Sequence, residues 1–361
     1  MRPQHAASRT LDAEGRLQCR EYSGAAALDF LERAWPALYD QDSAASAYQE
    51  PSWLLGWARH LPPASQPLVL AAVDGQRPVA ALALARETTP GARTRITPLA
   101  WPASEQIRPV GGRGEAVNVL LAHLSLLAST VALTDLPEDS LLTQHAHTWW
   151  GSSDAETHYA TVPLPVNLAA LSRSTRRDHT RRRRTLDRLG DRVAYHRTYG
   201  HSELQAAFQT LKTLHHQRNA PRLHTAGTAD LALPWRQALS QCASVAFIAT
   251  LTLDGRPVAA QLCLRRGPRV YSVLSAMDPA CQELAAGHAL LHLLCADLTA
   301  DGCTALDLGR TTADPGQRAY KAAYGAVWTT THTFTLPHPA RPTRQPASLP
   351  TDERTLTATA Q

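Results

Sequence analysis

Two short stretches late in the chain hold residue types suited to acyl or phosphate chemistry. The first is MDPACQELAAGHALL, from Met277 to Leu291. An apolar strand-like run precedes it, and it opens an apolar helix-like run. Ala285, Ala286 and Gly287 stand where that helix begins. The first N–H groups of a helix have no partner within it, and small side chains let a phosphate come close to them. The helix dipole adds to the attraction. A glycine at this point also serves simple close packing, so two readings stand. The second stretch is ALDLGRTTADPGQRAYKAAYGAVW, from Ala305 to Trp328. Here a strand ends at Asp307-Leu308-Gly309. Arg310, Thr311 and Thr312 follow in a polar loop at the strand's C-terminal end, a usual ligand position in α/β sheets. Tyr320, Lys321 and Tyr324 then fall on a short helix.

Acyl transfer to an amine needs a neutral nucleophile, donors for the developing oxyanion and a proton for the leaving group. Arg310 and Lys321 are candidates for holding an anionic donor or acceptor. Asp307 is a candidate proton acceptor, or it caps a turn. His215, His216 and His288 are alternative bases, each with a purely structural reading beside it. His288 and His292 are four residues apart on one helix, but no H-E-x-x-H is present. None of the six cysteines forms a C-x-x-C pair. No metal site is expected, and the cysteines read as buried thiols, not a disulfide framework.

The elements that must position these residues form a mixed α/β chain built from a repeat. LVLAAVDGQRPVAALALAR (Leu68 to Arg86) matches FIATLTLDGRPVAAQLCLRR (Phe247 to Arg266). Asp74-Gly75 answers Asp254-Gly255, and Pro78 to Ala81 answers Pro257 to Ala260. Each copy reads as a hairpin around a D-G turn, where glycine accepts positive φ. Helices are expected before the first hairpin (Leu28 to Tyr39, Ser52 to His60). A strand (Arg95 to Trp101), helix (Glu115 to Leu127), strand (Val131 to Leu136), helix (Asp139 to Trp150) and strand (His158 to Leu164) follow it. The second half repeats this order, with helices before its hairpin, then a strand at Arg269 to Met277 and a helix at Gly287 to Thr299. A strand at Thr304 to Leu308, a short helix at Gln317 to Tyr324 and a strand at Val327 to Leu336 end it. Residues 1–20 and 337–361 read as disordered tails, 21–166 as one domain and 167–336 as a second.

The chain has 361 residues, 44% apolar and 19% charged, which excludes wholesale disorder. No run is apolar and long enough to span a bilayer, and the N-terminus lacks a signal peptide's apolar segment. A cytoplasmic protein is expected. Charge is concentrated in one place. Ser172 to Arg192 carries nine arginines and three aspartates, more net charge than the whole chain's +5. Ser172 or Ser174 is placed to cap a helix there, and Gly190 to end it. Its arginines read as a solvated face, as a site for an anionic small substrate, or as a nucleic-acid surface. The last would make affinity fall steeply with salt.

The order of hairpin, strand, small-residue turn, helix, strand ending D-L-G-R, Tyr-Lys helix, glycine and strand resembles the GNAT N-acetyltransferase superfamily. More narrowly, it resembles the double-domain FemAB-like and CelD-type acyltransferases. Those proteins carry two tandem GNAT-type domains, and a basic helix opens the second, as LSRSTRRDHTRRRRTLDRLGD does here. Their F-D-F-G-R-S phrase followed by Y/F-K-x-x-W-G reads here as Ala305 to Thr311, then Tyr320 to Gly325. His215 to Arg218 (HHQR) fits the family's H-x-x-R helix end. The resemblance implies two tandem GNAT-like domains, the first a degenerate copy that shapes the acceptor cleft. It implies that Gln282, Ala285, Ala286, Gly287 and His288 cradle the pyrophosphate of an acyl-CoA such as acetyl-CoA. It points to Tyr320 as proton donor, with Lys321 and Asp307, and to Arg310, Thr311, His215 and Arg218 on the substrate side. Ala285 stands where the family's Q/R-x-x-G-x-G/A turn has its first glycine. Two alternatives stand beside this acyltransferase: peptide-bond formation from aminoacyl-tRNA, with tRNA on the arginine helix, and a non-catalytic anion-binding scaffold.

Overall fold

The computed structural model describes residues 17–88, 94–112, 114–127, 129–219, 232–311 and 314–336, without the side chains of 219, 232–234, 282 and 283. The expected tails at 1–16 and 337–361 lie outside the described residues. Leu17 to Arg20, also expected as tail, belong instead to the first strand, β1 (Leu17–Ser23). Only Cys19 of β1 is buried, so no apolar run announces it. It is an edge strand, and Glu21 on it pairs with Arg86 at 2.8 Å.

The first half continues with α1 (Ala25–Arg33), α2 (Trp35–Gln41), α3 (Pro51–Ala58), β2 (Ser65–Asp74), β3 (Arg77–Glu87), β4 (Arg95–Pro98) and β5 (Val110–Gly111). Then come α4 (Gly114–Leu126), β6 (Thr130–Pro137), α5 (Leu141–Trp150) and β7 (Ala155–Pro163). The second half holds α6 (Arg173–Leu189), β8 (Val193–Thr198), α7 (His201–Asn219), α8 (Ala232–Gln241), β9 (Ala246–Leu253) and β10 (Arg256–Arg266). β11 (Arg269–Met277), α9 (Ala286–Ala300), β12 (Ala305–Thr311), α10 (Pro315–Ala322) and β13 (Val327–Leu336) complete it. The single helix expected over Leu28 to Tyr39 is two. Pro36 lies in the first turn of α2, where its missing N–H costs nothing.

The repeat is visible in fine detail. In both hairpins one valine bulges, Val79 between Pro78 and Ala80 and Val258 between Pro257 and Ala259. The turns differ by one residue. Gly75-Gln76 makes the first, whereas Asp254-Gly255, both at positive φ, makes the second. That shift is why the D-G and P-V-A-A matches sit at different offsets.

All the strands join one sheet in the order β1-β2-β3-β4-β6-β13-β7-β12-β11-β10-β9-β8, with β5 alongside β3. The centre is exchanged. β7, last strand of the first half, pairs with β12, and β13, last of the second, pairs with β6. The two also pair with each other. On one face, α1, α2, α3, α7 and α8 form a layer whose core draws on both halves. Gly56 of α3 makes this contact possible, because a Cβ there would lie 2.5 Å from Cα of Ala238 in α8. Trp53 and Trp57 pack edge-on against Trp235 beside it. On the other face, α4 and α5 cover the first half and α9 the second, as two separate cores.

Candidate functional site

Among the described residues each half has one parallel strand pair, and each pair is short. β4 and β6 share two residue pairs, and β11 and β12 share three, ending at Tyr271↔Asp307. Beyond that point β11 and β12 diverge. β11 runs on to Met277 and leads through a 3₁₀ turn (Pro279–Leu284) into α9. β4 instead stops at Pro98, so among the described residues the first half has no counterpart of the long β11 or its following turn.

The turn into α9 is where small residues were expected to face a ligand. Ala285 caps α9 in the left-handed conformation, φ 49° and ψ 50°. An alanine therefore takes the backbone shape that the family's glycine would supply, at the cost of Cβ crowding. Gly287 does a different job. A Cβ there would lie 3.1 Å from the Met277 sulfur and 3.9 Å from the Tyr320 ring, so its small size serves packing. The Tyr320 hydroxyl donates to the Gly287 carbonyl at 3.0 Å, and burial raises its pKa. Tyr324 donates to the His288 carbonyl at 2.8 Å. His288 is pushed down to about 4 by burial, with the charges of Arg182 and His179 adding to it, so its ring is neutral at pH 7. The Gln282 side chain lies outside the described residues.

The arginine helix docks against this turn. Ser172 caps α6 by accepting the Thr175 N–H, and Gly190 ends it. His179 is its one fully buried residue, with Nε2 2.7 Å from the Ala323 carbonyl oxygen. Arg173, Arg176, Arg177, Arg181, Arg184 and Arg188 line one open face. Arg182 faces the other way, where its charge acts on His288 and Tyr320. Arg218, at the exposed end of α7, also acts on Tyr320, whereas His215 is half-buried and its pKa is lowered chiefly by burial.

Arg310, Thr311, Lys321 and Asp307 meet at the end of β12, but their polar groups bind the protein itself. Lys321 is buried. Its three N–H groups reach the carbonyls of Gly309 and Arg310, both at 2.7 Å, and Thr311 Oγ1 at 3.0 Å. Burial lowers its pKa to about 8. Arg310 forms a two-pronged pair with Asp135 of β6, with Nε donating to Oδ1 at 3.0 Å. Asp307 accepts from the Gly309 N–H at 2.7 Å, Gln106 Nε2 at 2.7 Å and Thr161 Oγ1 at 3.0 Å, while burial raises its pKa. It caps the turn in which Gly309 takes φ +70°. Gln106 and Thr161 also line a cleft of about 290 Å³ with Arg108, Tyr159, Arg269 and Tyr271. Both halves contribute to it.

Reading the sequence did not find Glu105, Gln106, Asp135 or Thr161. All lie in the first half, far in sequence from the residues they touch. The one local signal is Gly309 itself, because a Cβ there would lie 3.0 Å from Glu105 Oε2. No group of three or more His, Cys, Asp or Glu side chains placed to hold a metal ion occurs among the described residues. Among them, no helix is long and apolar enough to cross a membrane.

Residues 173–322 match the family model of the acetyltransferase (GNAT) domain. This stretch of the chain is a GNAT-type acetyltransferase domain. Solved structures agree on the fold over most of the chain's length. FemX is 13% identical, with a TM-score of 0.60, covering 84% of this chain and 95% of its own. L-PGS from Bacillus licheniformis is 13% identical, TM-score 0.55, over 85% and 92%. The C-terminal domain of a putative lysylphosphatidylglycerol synthetase from Agrobacterium fabrum is 14% identical, TM-score 0.54, over 85% and 91%. No curated protein sequence matches the chain.

Proposed function

We propose that this acyltransferase moves an acyl group from an acyl-CoA donor to an amine or sugar-linked acceptor. The observation that carries the reading is the divergence of β11 from β12 immediately before the turn into α9. A diverging strand pair offers a backbone edge to which an extended arm adds as a strand does. The start of α9 offers N–H groups to the donor's phosphates, with Arg182 and Arg218 supplying positive charge. On this reading residues 282–288 cradle the pyrophosphate and Tyr320, kept protonated by burial, is the proton donor. Lys321 and Asp307 hold the end of β12 in shape, and Arg310 and Thr311 complete that end. Residues 167–336 form the donor domain, and 17–166 form a second domain that shapes the acceptor side through the shared cleft. We also read the enzyme as cytoplasmic, since six free thiols suit a reducing compartment.

One observation favours a second reading. The open arginine face of α6 suits a longer polyanion, and the FemAB-like resemblance implies an aminoacyl-tRNA donor. Thermal melting separates the two. A ligand at ~100 times its Kd adds ~2.7 kcal/mol, which shows as a shift in Tm. Coenzyme A, acetyl-CoA, longer acyl-CoAs and bulk tRNA would be tested at low and moderate salt. A salt-tolerant shift with one acyl-CoA, weakened in Arg182→Ala, is the expected result. A shift with tRNA alone, fading with salt, transfers the assignment to the second reading.

A further inference from the structure

Glu105 stands where a strand partner is missing. Past Tyr271↔Asp307 the facing backbone groups of β11 and β12 no longer meet. The Ser272 carbonyl receives the Tyr48 hydroxyl at 3.5 Å, and the Arg310 N–H donates to Glu105 Oε2 at 2.6 Å. That oxygen and the Ser272 carbonyl both flank the Cβ position of Gly309, at 3.0 and 3.3 Å. The carboxylate therefore lies between the two diverging strands. It belongs to the first half, and reaches the second because β4 ends at Pro98 and the chain then leaves the sheet. Glu105 is only half-buried. The charged and titratable groups facing it are Asp135 from β6, Asp307 and Arg310 from β12, Lys321 from α10 and the Tyr48 hydroxyl. Burial lifts its pKa to about 7, with Arg310 opposing and Asp307 and Asp135 adding to the rise.

We propose that Glu105, supplied by the first half, is the base that takes a proton from the acceptor ammonium where β11 and β12 diverge. This rests on the acyl-CoA reading above. One proton passes from R–NH3+ to the carboxylate. The freed lone pair forms the C–N bond to the acyl carbon. The C–S bond breaks with its electrons going to sulfur, Tyr320 gives its proton to that sulfur and takes up the second N–H proton, and the thiol leaves. Glu105 then gives its proton to water. Gly309 is the residue that makes room for it.

The test is Glu105→Gln, which keeps an oxygen for the Arg310 N–H. Acetyl-CoA is the donor, with butylamine, protonated at neutral pH, and hydroxylamine, neutral there, as probe acceptors. Both proteins should show the same acetyl-CoA shift in Tm. Coenzyme A release with butylamine should fall by about 100-fold or more in the variant, and the rise of the wild-type rate through pH 7 should disappear. With hydroxylamine the loss should be under about 10-fold, because no proton need be removed first. An equal loss with both amines, or a variant with unchanged rate and pH profile, overturns the assignment alone. So does wild-type protein that binds acetyl-CoA yet releases no coenzyme A with either amine. Wild-type protein with no acetyl-CoA shift removes the donor reading, and the assignment with it.

Discussion

At the scale of single residues, the site is a balance between burial and charge. Three acids (Glu105, Asp135, Asp307) and two bases (Arg310, Lys321) meet where the halves join. The Glu105 carboxyl has a pKa near 7, above the 4.5 expected for a free glutamate. The native state thus holds its proton more tightly than the unfolded chain does. Between about pH 4.5 and 7 the native state binds more protons, so this group's contribution is present below that window and lost as pH rises through it. Glu105→Gln removes the titration. The variant should gain stability relative to wild type from pH 5 to pH 8, read as a rise in its Tm minus that of wild type. A fall in that signed difference over the range contradicts the raised pKa. The residues that the sequence advertised, Asp307, Arg310 and Lys321, do come together. Their partners could not be read from sequence, because Asp135 and Glu105 reach them only through the exchanged sheet.

At the scale of elements, the periodic segments were legible. The arginine helix, both D-G hairpins and the strand-helix-strand runs after them appear where apolar spacing and caps place them. β1 was missed because its seven residues bury one cysteine and carry Arg20 and Glu21. Edge strands commonly carry charge in this way, which erases the alternating pattern. The contact between α3 and α8 was also invisible, since a lone glycine in an apolar helix says nothing about what it faces. Gly56→Ala would push a methyl into the Ala238 backbone. It should cost about 1–3 kcal/mol, as overpacked cores do. Denaturant melts would read this as a lower midpoint at unchanged slope.

At the scale of the whole molecule, the internal repeat described two similar units but not their interlocking. Arg266 of β10 makes the point on a small scale. It stacks 3.6 Å from the Tyr39 ring centroid and donates to the carbonyls of Tyr39 and Asp42 in the other half. The exchange of β7 and β13 does the same for the sheet. Residues 1–166 and 167–361 produced as separate chains should each lack a folded core, seen as shallow, non-cooperative melts. Mixing them should restore a single transition, and two independent cooperative melts would refute the interlock.

That exchange also bears on how substrates get in. Two units joined by a linker open and close by rotating about it. Here β7 and β13 lie side by side in the middle of a continuous hydrogen-bonded ladder, so rotation would tear backbone pairs apart. The distance between donor side and acceptor side is then set like the gauge of a rail track. Movement for entry and release falls to segments off the ladder, whereas the stretch from Leu99 to Pro109 that carries Glu105 is pinned to it, by the Leu99 N–H on the Ala83 carbonyl and the Ile107 N–H on the Asp135 carbonyl.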